Sequence, residues 1–336
     1  MTYSQADITV PYAVANFAEI RHKGYYYVDK TNYIPLLERY KAPVFLRPRR
    51  FGKSLLVSML AHYYDRNMAT QFKDLFGGTW IGEHPTNEHN QYLVVRYDFS
   101  TTSVASKKED IEKNFNAVNC SPLRTLVERN RDLFGDFRFR EDGNASNMLV
   151  EVCEFISSHN LPPLYILIDE YDNFTNQLLV VYKDSLYQDL TTGESFLRTF
   201  FKVIKAGIGE GTIRTCFCTG VLPVTMDDLT SGYNIAEMLT LKPEFTNLLG
   251  FTHEEAAQYL KYVINKYGPQ ASFEELWTLI LNNYDGYHFL PNAEPLFNST
   301  ILTYFLKNFA ELKGGIPTEM VDENLRTDTS WIRRLT

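Results

Sequence analysis

An apolar segment, Val44-Phe45-Leu46, runs into Arg47-Pro48-Arg49-Arg50-Phe51-Gly52-Lys53-Ser54, and Leu55, Leu56, Met59 and Leu60 follow at helical spacing. A short strand, a loop closing on Gly-Lys-Ser and a helix with the apolar face of one packed on a sheet form the context in which G-x-x-x-x-G-K-[ST] cradles phosphate. The motif wants glycine where Arg47 stands. The reading therefore rests on the remaining residues and on a second site.

Backbone N–H groups at Gly52, Lys53 and Ser54 open the helix, where unpaired amides and the macrodipole favour an anion. Gly52 lets the backbone come close to a β-phosphate. Lys53 reaches β- and γ-phosphates as a point charge, and the Ser54 hydroxyl ligates Mg²⁺. The plainer alternative is a basic turn before an ordinary core helix. The second site weighs against it. Leu164-Tyr165-Ile166-Leu167-Ile168 is a continuous apolar run ending in Asp169-Glu170, as expected of a parallel strand buried on both faces. Its acids fall at the carboxyl end, where open α/β sheets bind ligands. Asp169 is the candidate holder of Mg²⁺, and Glu170 the candidate that orients the attacking water or takes its proton. A third strand, Ile213 to Cys218, ends at Thr219-Gly220. Thr219 is a candidate γ-phosphate sensor, with strand capping as its structural alternative.

Tyr27-Val28-Asp29-Lys30-Thr31, the Arg47–Ser54 loop, Ile168-Asp169-Glu170-Tyr171-Asp172, Thr219-Gly220-Val221, Gly250-Phe251-Thr252 and Tyr284-Asp285-Gly286-Tyr287 occur in one order over nearly the whole chain. Together they resemble the bacterial AAA-ATPase-like family. The resemblance implies an α/β fold, a P-loop NTPase whose parallel sheet is flanked by helices as in AAA+ and STAND ATPases, with an additional strand between the two phosphate motifs. It also implies ATP and Mg²⁺ as ligands, and Arg-Pro-Arg-Arg-Phe in place of the glycine-rich opening. Many members continue into a nuclease-like domain of the PD-(D/E)XK type; the residues up to Thr336 show none. Candidate nucleotide contacts are Arg49, Arg50, Phe51, Gly52, Lys53, Ser54 and Leu55. Tyr27, Asp29 and Lys30 join them from the segment upstream, where AAA-like proteins build the adenine pocket; an aromatic strand and a helix cap are their structural alternatives.

The 336 residues, 44% of them hydrophobic, suffice for a large core and two domains. Residues 1–250 are expected to form the ATPase core and 251–336 a smaller helical, lid-like domain. A net charge of −8 argues against a whole-surface nucleic-acid binder, leaving a local basic patch at Arg47, Arg49 and Arg50. Cys120, Cys153, Cys216 and Cys218 lack C-x-x-C spacing and read as reduced, mostly buried thiols. With no leader-like segment and no run approaching a membrane span, a cytoplasmic location is expected.

Helices are expected over Pro11 to Lys23, from a cap at Asp29 or Thr31 through Leu37, and from Phe196 to Ile208. Leu93 to Phe99 is a strand. Two helices follow it, separated around Cys120-Ser121-Pro122. Tyr182 to Gly193 reads as a loop, and Met238 to Leu241 as the last strand. Thr252-His253-Glu254-Glu255 is a capping box opening a helix through Tyr262.

No arginine occurs between Arg214 and Arg326, so the positions where AAA+ rings place an arginine finger are unfilled. Fingers contribute about 10³–10⁵ in rate. Slow turnover is expected unless Arg49, Arg50, Arg198 or a partner supplies the charge; Arg50 is the candidate that acts from within its own loop. His84 and His89 read as a solvated loop and not a metal site. The resemblance to STAND ATPases makes His288 a candidate β-phosphate contact, with aromatic packing as its alternative. The reading is a nucleotide-gated switch acting on an unknown protein partner. A non-hydrolysing scaffold and a DNA-associated ATPase serving a nuclease are the alternatives.

Overall fold

The computed structural model describes residues 8–321 apart from 104, 106, 141–142, 174–175, 177–194 and 224–232. Five strands form one sheet: β1 (Pro43–Leu46), β2 (Leu93–Asp98), β3 (Leu164–Asp169), β4 (Ile213–Gly220) and β5 (Glu237–Met238), in the order β2-β3-β4-β1-β5. Every pairing is parallel. β4 therefore separates β1 from β3, so the two phosphate motifs stand at the carboxyl ends of strands with one strand between them.

Alternation along the strands sorts the side chains into two layers. Val44, Leu46, Ile166 and Ile168 face a core shared with α3 (Lys108–Arg129), α4 (Ala145–His159) and α5 (Phe196–Glu210). Phe45, Tyr165, Leu167 and Phe217 face α1 (Phe17–His22) and α2 (Lys53–Tyr64). Asp169 follows Tyr165 and Leu167 at period two, which puts its carboxyl group on the α2 side of the sheet. β3 is buried at every position, as its uninterrupted apolar run requires.

The helical C-terminal region comprises α6 (His253–Tyr267), α7 (Phe273–Tyr284) and α8 (Ser299–Glu311). The Thr252 hydroxyl accepts from the Glu255 amide and the Glu255 carboxylate accepts from the Thr252 amide, completing the expected capping box. Ile8 and Val10 are buried in the core of this region, among Tyr259, Val263 and Phe305. The chain's first described residues thus pack with its last helices, although a division at residue 250 would assign them to the other unit. The Thr9 hydroxyl bonds the phenol oxygens of Tyr262 at 2.6 Å and Tyr267 at 3.0 Å.

Three expectations about elements change, the last strand being Glu237–Met238 and not Met238 to Leu241. Pro122 lies inside one continuous helix, α3, and does not divide two. Its missing N–H and ring clash cost roughly 3 kcal/mol in a helix interior. Ile111, Phe115, Leu123, Leu126 and Val127 share one buried core on both sides of it, which offsets that cost. The first helix is confined to Phe17–His22, capped by the Asn16 side chain accepting from the Glu19 amide. The loop expected at Tyr182 to Gly193 lies outside the described residues. No helix among the described residues is long and apolar enough to cross a membrane.

Candidate nucleotide site

The phosphate loop runs from β1 into α2, and its two steepest backbone turns are local. Gly52 caps α2 with φ of 96°, and Arg50 adopts φ of 70°. A Cβ on Gly52 would meet nothing closer than Leu249 at 3.7 Å, so the glycine is required by its left-handed backbone and not by space. Lys53 enters the first turn of α2, and its ammonium donates to the carbonyls of Arg47 and Pro48, both at 3.0 Å. Burial lowers its pKa, while Glu170, Asp169 and Asp172 act in the opposite sense. The ammonium is folded back onto its own loop, where its present acceptors are two neutral backbone carbonyls.

Asp169 is 2% exposed. The nearby Ser54 hydroxyl acts to lower its pKa, and Arg96 Nη2 stands 3.9 Å from its Oδ2. Burial raises the Asp169 pKa, and the neighbouring carboxylates of Asp98 and Glu170 push the same way. Its Oδ1 is buried without a hydrogen-bond partner. A hydroxyl, a carboxylate and an orphaned carboxylate oxygen brought together at the start of α2 fit a hard divalent cation with oxygen and water ligands. Groups of three or more histidine, cysteine or acidic side chains able to enclose a metal without nucleotide or water are absent among the described residues.

Glu170 follows with φ of 50°, an uncommon backbone for a residue with a side chain, which turns it off the strand end. It lines the cavity beside Asn173, whose amide nitrogen donates to its carboxylate. Asp172 closes the Ile168-Asp169-Glu170-Tyr171-Asp172 motif, which assigns it no role, and is a structural neighbour of these acids. It is 1% exposed, and its carboxylate accepts from the amides of Val221 at 3.1 Å and Leu222 at 2.7 Å. Tyr171 donates to the Leu222 carbonyl at 2.5 Å. The turn after β3 is thereby tied to the turn after β4. Gly220 permits the approach, since a Cβ there would sit 2.3 Å from Asp172 Oδ1.

A cavity of about 740 Å³ joins these groups. Arg49, Arg50, Phe51, Gly52, Lys53, Ser54, Leu55 and Glu170 line it, together with Pro11 to Ala15, Tyr26, Tyr27, Val28, Met59 and Tyr259. The upstream segment thus walls the same cavity as the loop. Asp29 is not part of the lining. Its carboxylate accepts from the Thr31 amide at 2.8 Å and the Trp80 amide at 2.7 Å, so it serves backbone donors where two short helical turns begin, although neither turn has it as N-cap. Lys30 lines the cavity but gives its ammonium to Glu255 at 2.6 Å and to the Asn247 carbonyl at 2.8 Å.

Thr219 also takes its structural alternative: its hydroxyl donates to the Phe45 carbonyl at 2.9 Å, and the residue is fully buried. His288 is exposed and does not line the cavity, and Arg198 lies on α5 outside it. His84 and His89 bond carbonyls of Trp80 and Thr86. Arg47 overturns the expectation of a surface patch of three arginines, because it is only 1% exposed. Its guanidinium lies over the rings of Phe45 at 4.5 Å and Phe289 at 4.0 Å. The four cysteines are free and buried, as expected.

Comparison with known proteins agrees with this geometry. A protein named "Uncharacterized protein in vnfD 5′ region" from Azotobacter chroococcum mcd 1 is 26% identical over 255 residues, a stretch covering 73% of this chain. The chain spans 43% of that relative's length. Residues 11–230 match the model of the AAA-ATPase-like family, described as predicted AAA-ATPase. With strand order, phosphate loop and acidic strand end in accord, the chain belongs to the AAA-ATPase-like family.

Proposed function

We propose that this chain binds MgATP in the cavity between the phosphate loop and the C-terminal helices, hydrolyses it slowly, and acts as a nucleotide-gated switch. The observation that carries the reading is the buried Lys53 ammonium at the start of α2, hydrogen-bonded to the Arg47 and Pro48 carbonyls of its own loop, with Ser54 next in the chain and close enough to act on Asp169. The α2 amides and Lys53 would take the β- and γ-phosphates, and Ser54 with Asp169 would hold Mg²⁺. When bound, Mg²⁺ neutralises charge on the phosphate oxygens. Glu170 would orient water and accept its proton once Asn173 lets it turn. Arg49 and Arg50, at the cavity wall, would add to Lys53 as cations for charge developing on the transferred phosphoryl group.

MgATP at 100 times its Kd should stabilise the protein by about 2.7 kcal/mol, and thermal melting with and without MgATP reads this directly. Lys53→Ala is expected to remove the shift. A wild-type protein without a shift, or a variant that keeps it, would sink the reading.

Removal of the Asp169 charge should separate function from stability. A carboxyl group whose folded pKa is raised binds its proton more tightly folded than unfolded, so its ionisation destabilises the native state as pH rises through that window. Asp169→Asn in metal-free buffer at pH 7 should therefore raise the melting temperature while Mg²⁺-dependent ATP binding is lost. The gain should shrink on acidification, as the wild-type carboxylate takes up its proton. A lower melting temperature at pH 7 would show that Ser54 and Arg96 favour the charged form more than burial opposes it.

A further inference from the structure

The three loop residues between Pro48 and Gly52 have their carbonyls taken by the C-terminal region. The Asn298 side-chain amide donates to the Arg49 carbonyl at 3.1 Å. Thr300 donates to the Arg50 carbonyl twice, from its hydroxyl at 2.9 Å and from its amide at 3.2 Å. The Phe51 carbonyl accepts from the Ser299 hydroxyl and the Gly250 amide, both at 3.3 Å. Asn298 is 4% exposed and also caps α8, its Oδ1 accepting from the amides of Thr300 and Ile301.

In a trans peptide the carbonyl and the following N–H point in opposite directions. Holding the carbonyls of Arg49, Arg50 and Phe51 on α8 therefore turns the amides of Arg50, Phe51 and Gly52 away from it, as a set. Arg50 has φ of 70°, a conformation that glycine adopts freely and arginine resists. Three hydrogen bonds from Asn298 and Thr300 grip the peptide groups on either side of it.

We propose that Asn298 and Thr300 are positioning residues for the phosphate loop: the start of α8 imposes from outside the backbone shape that glycines provide in ordinary loops of this type, and nucleotide affinity depends on its being docked. The proposal rests on the nucleotide reading above. It gives that reading a physical coupling, because occupancy of the loop and docking of the C-terminal helices then favour each other by the same factor.

The test is a double-mutant cycle on MgADP affinity, measured by titration calorimetry so that hydrolysis plays no part. Thr300→Val keeps the shape and the backbone donor but loses the hydroxyl; Asn298→Asp keeps the α8 cap and loses the donor to Arg49. Each should weaken MgADP binding about tenfold. Arg50→Gly relieves the strained position, whatever the loss of its side chain costs. When Thr300→Val is added to Arg50→Gly, it should cost less than about twofold. Melting temperatures without nucleotide are followed in parallel, since general destabilisation would lower them without producing this coupling. Wild-type affinity in Thr300→Val and Asn298→Asp, or equal losses from Thr300→Val with and without Arg50→Gly, would overturn the proposal while leaving the nucleotide reading intact. Failure of the wild type to bind MgADP would remove both.

Discussion

Arg47→Gly, which restores the first glycine of the general phosphate-loop pattern, is expected to destabilise the protein by about 4 kcal/mol and to weaken nucleotide binding. Read as a motif, the substitution should improve the loop. Read as physics, it removes the clamp that ties the loop's entrance to its surroundings. The Arg47 guanidinium donates to the carbonyls of Leu46 at 3.1 Å, Thr240 at 3.1 Å and Thr246 at 3.0 Å, and lies between two phenyl rings. Its hydrogen-bond acceptors are all neutral. Burial lowers its pKa to about 10, which still leaves it charged at neutral pH. Glycine would leave those carbonyls without their donor, open a cavity between Phe45 and Phe289, and add unfolded-state entropy worth up to about 1 kcal/mol. Urea midpoints at constant m measure the loss. Arg47→Met separates the contributions. It fills the space without a charge to desolvate, and should cost under about 2 kcal/mol. A neutral Arg47→Gly would show that the loop holds its shape without the arginine.

The same residue shows what sequence patterns can convey. The motif places Gly52, Lys53 and Ser54 correctly because their roles are local: a left-handed turn, a helix start and two side chains on its first turn. Asp169 and Glu170 are equally legible, since a continuous apolar run ending in acids leaves few positions in a parallel sheet. The partners of Arg47 are not legible. Phe289 is more than 240 residues away, and only the assembled fold brings it against the loop. Asp29 and Thr219 have the right neighbours for nucleotide contacts, yet their side chains satisfy backbone groups of Thr31, Trp80 and Phe45. Short polar side chains at element ends serve both purposes with one signature. The placement of Ile8 and Val10 among the C-terminal helices was hidden for a different reason, because two apolar residues carry no period to read. Pro122 misled because its local cost is real and tertiary burial exceeds it.

Glu170→Gln is expected to lower phosphate release by about 10²–10³-fold while changing MgATP affinity by no more than a few-fold. Glutamine preserves size and can still bond the Asn173 side chain, but it cannot take a proton from water. The backbone at Glu170 carries strain that a residue serving only to end a strand would not need. Its carboxylate accepts from the Asn173 side-chain amide, a bond it would have to loosen to reach water. Together with the stretch from 215 to 325 that contains no arginine, this predicts a slow wild-type rate, limited by freeing Glu170 and by supplying a cation. Single-turnover measurement with enzyme in excess over ATP is therefore the appropriate assay, because it detects slow chemistry without requiring product release. Equal rates for wild type and Glu170→Gln would mean that bound ATP holds the fold together and its hydrolysis serves no purpose. A large difference would show that the acidic end of β3 performs chemistry, leaving docking of the C-terminal helices as the means by which that chemistry reaches a partner.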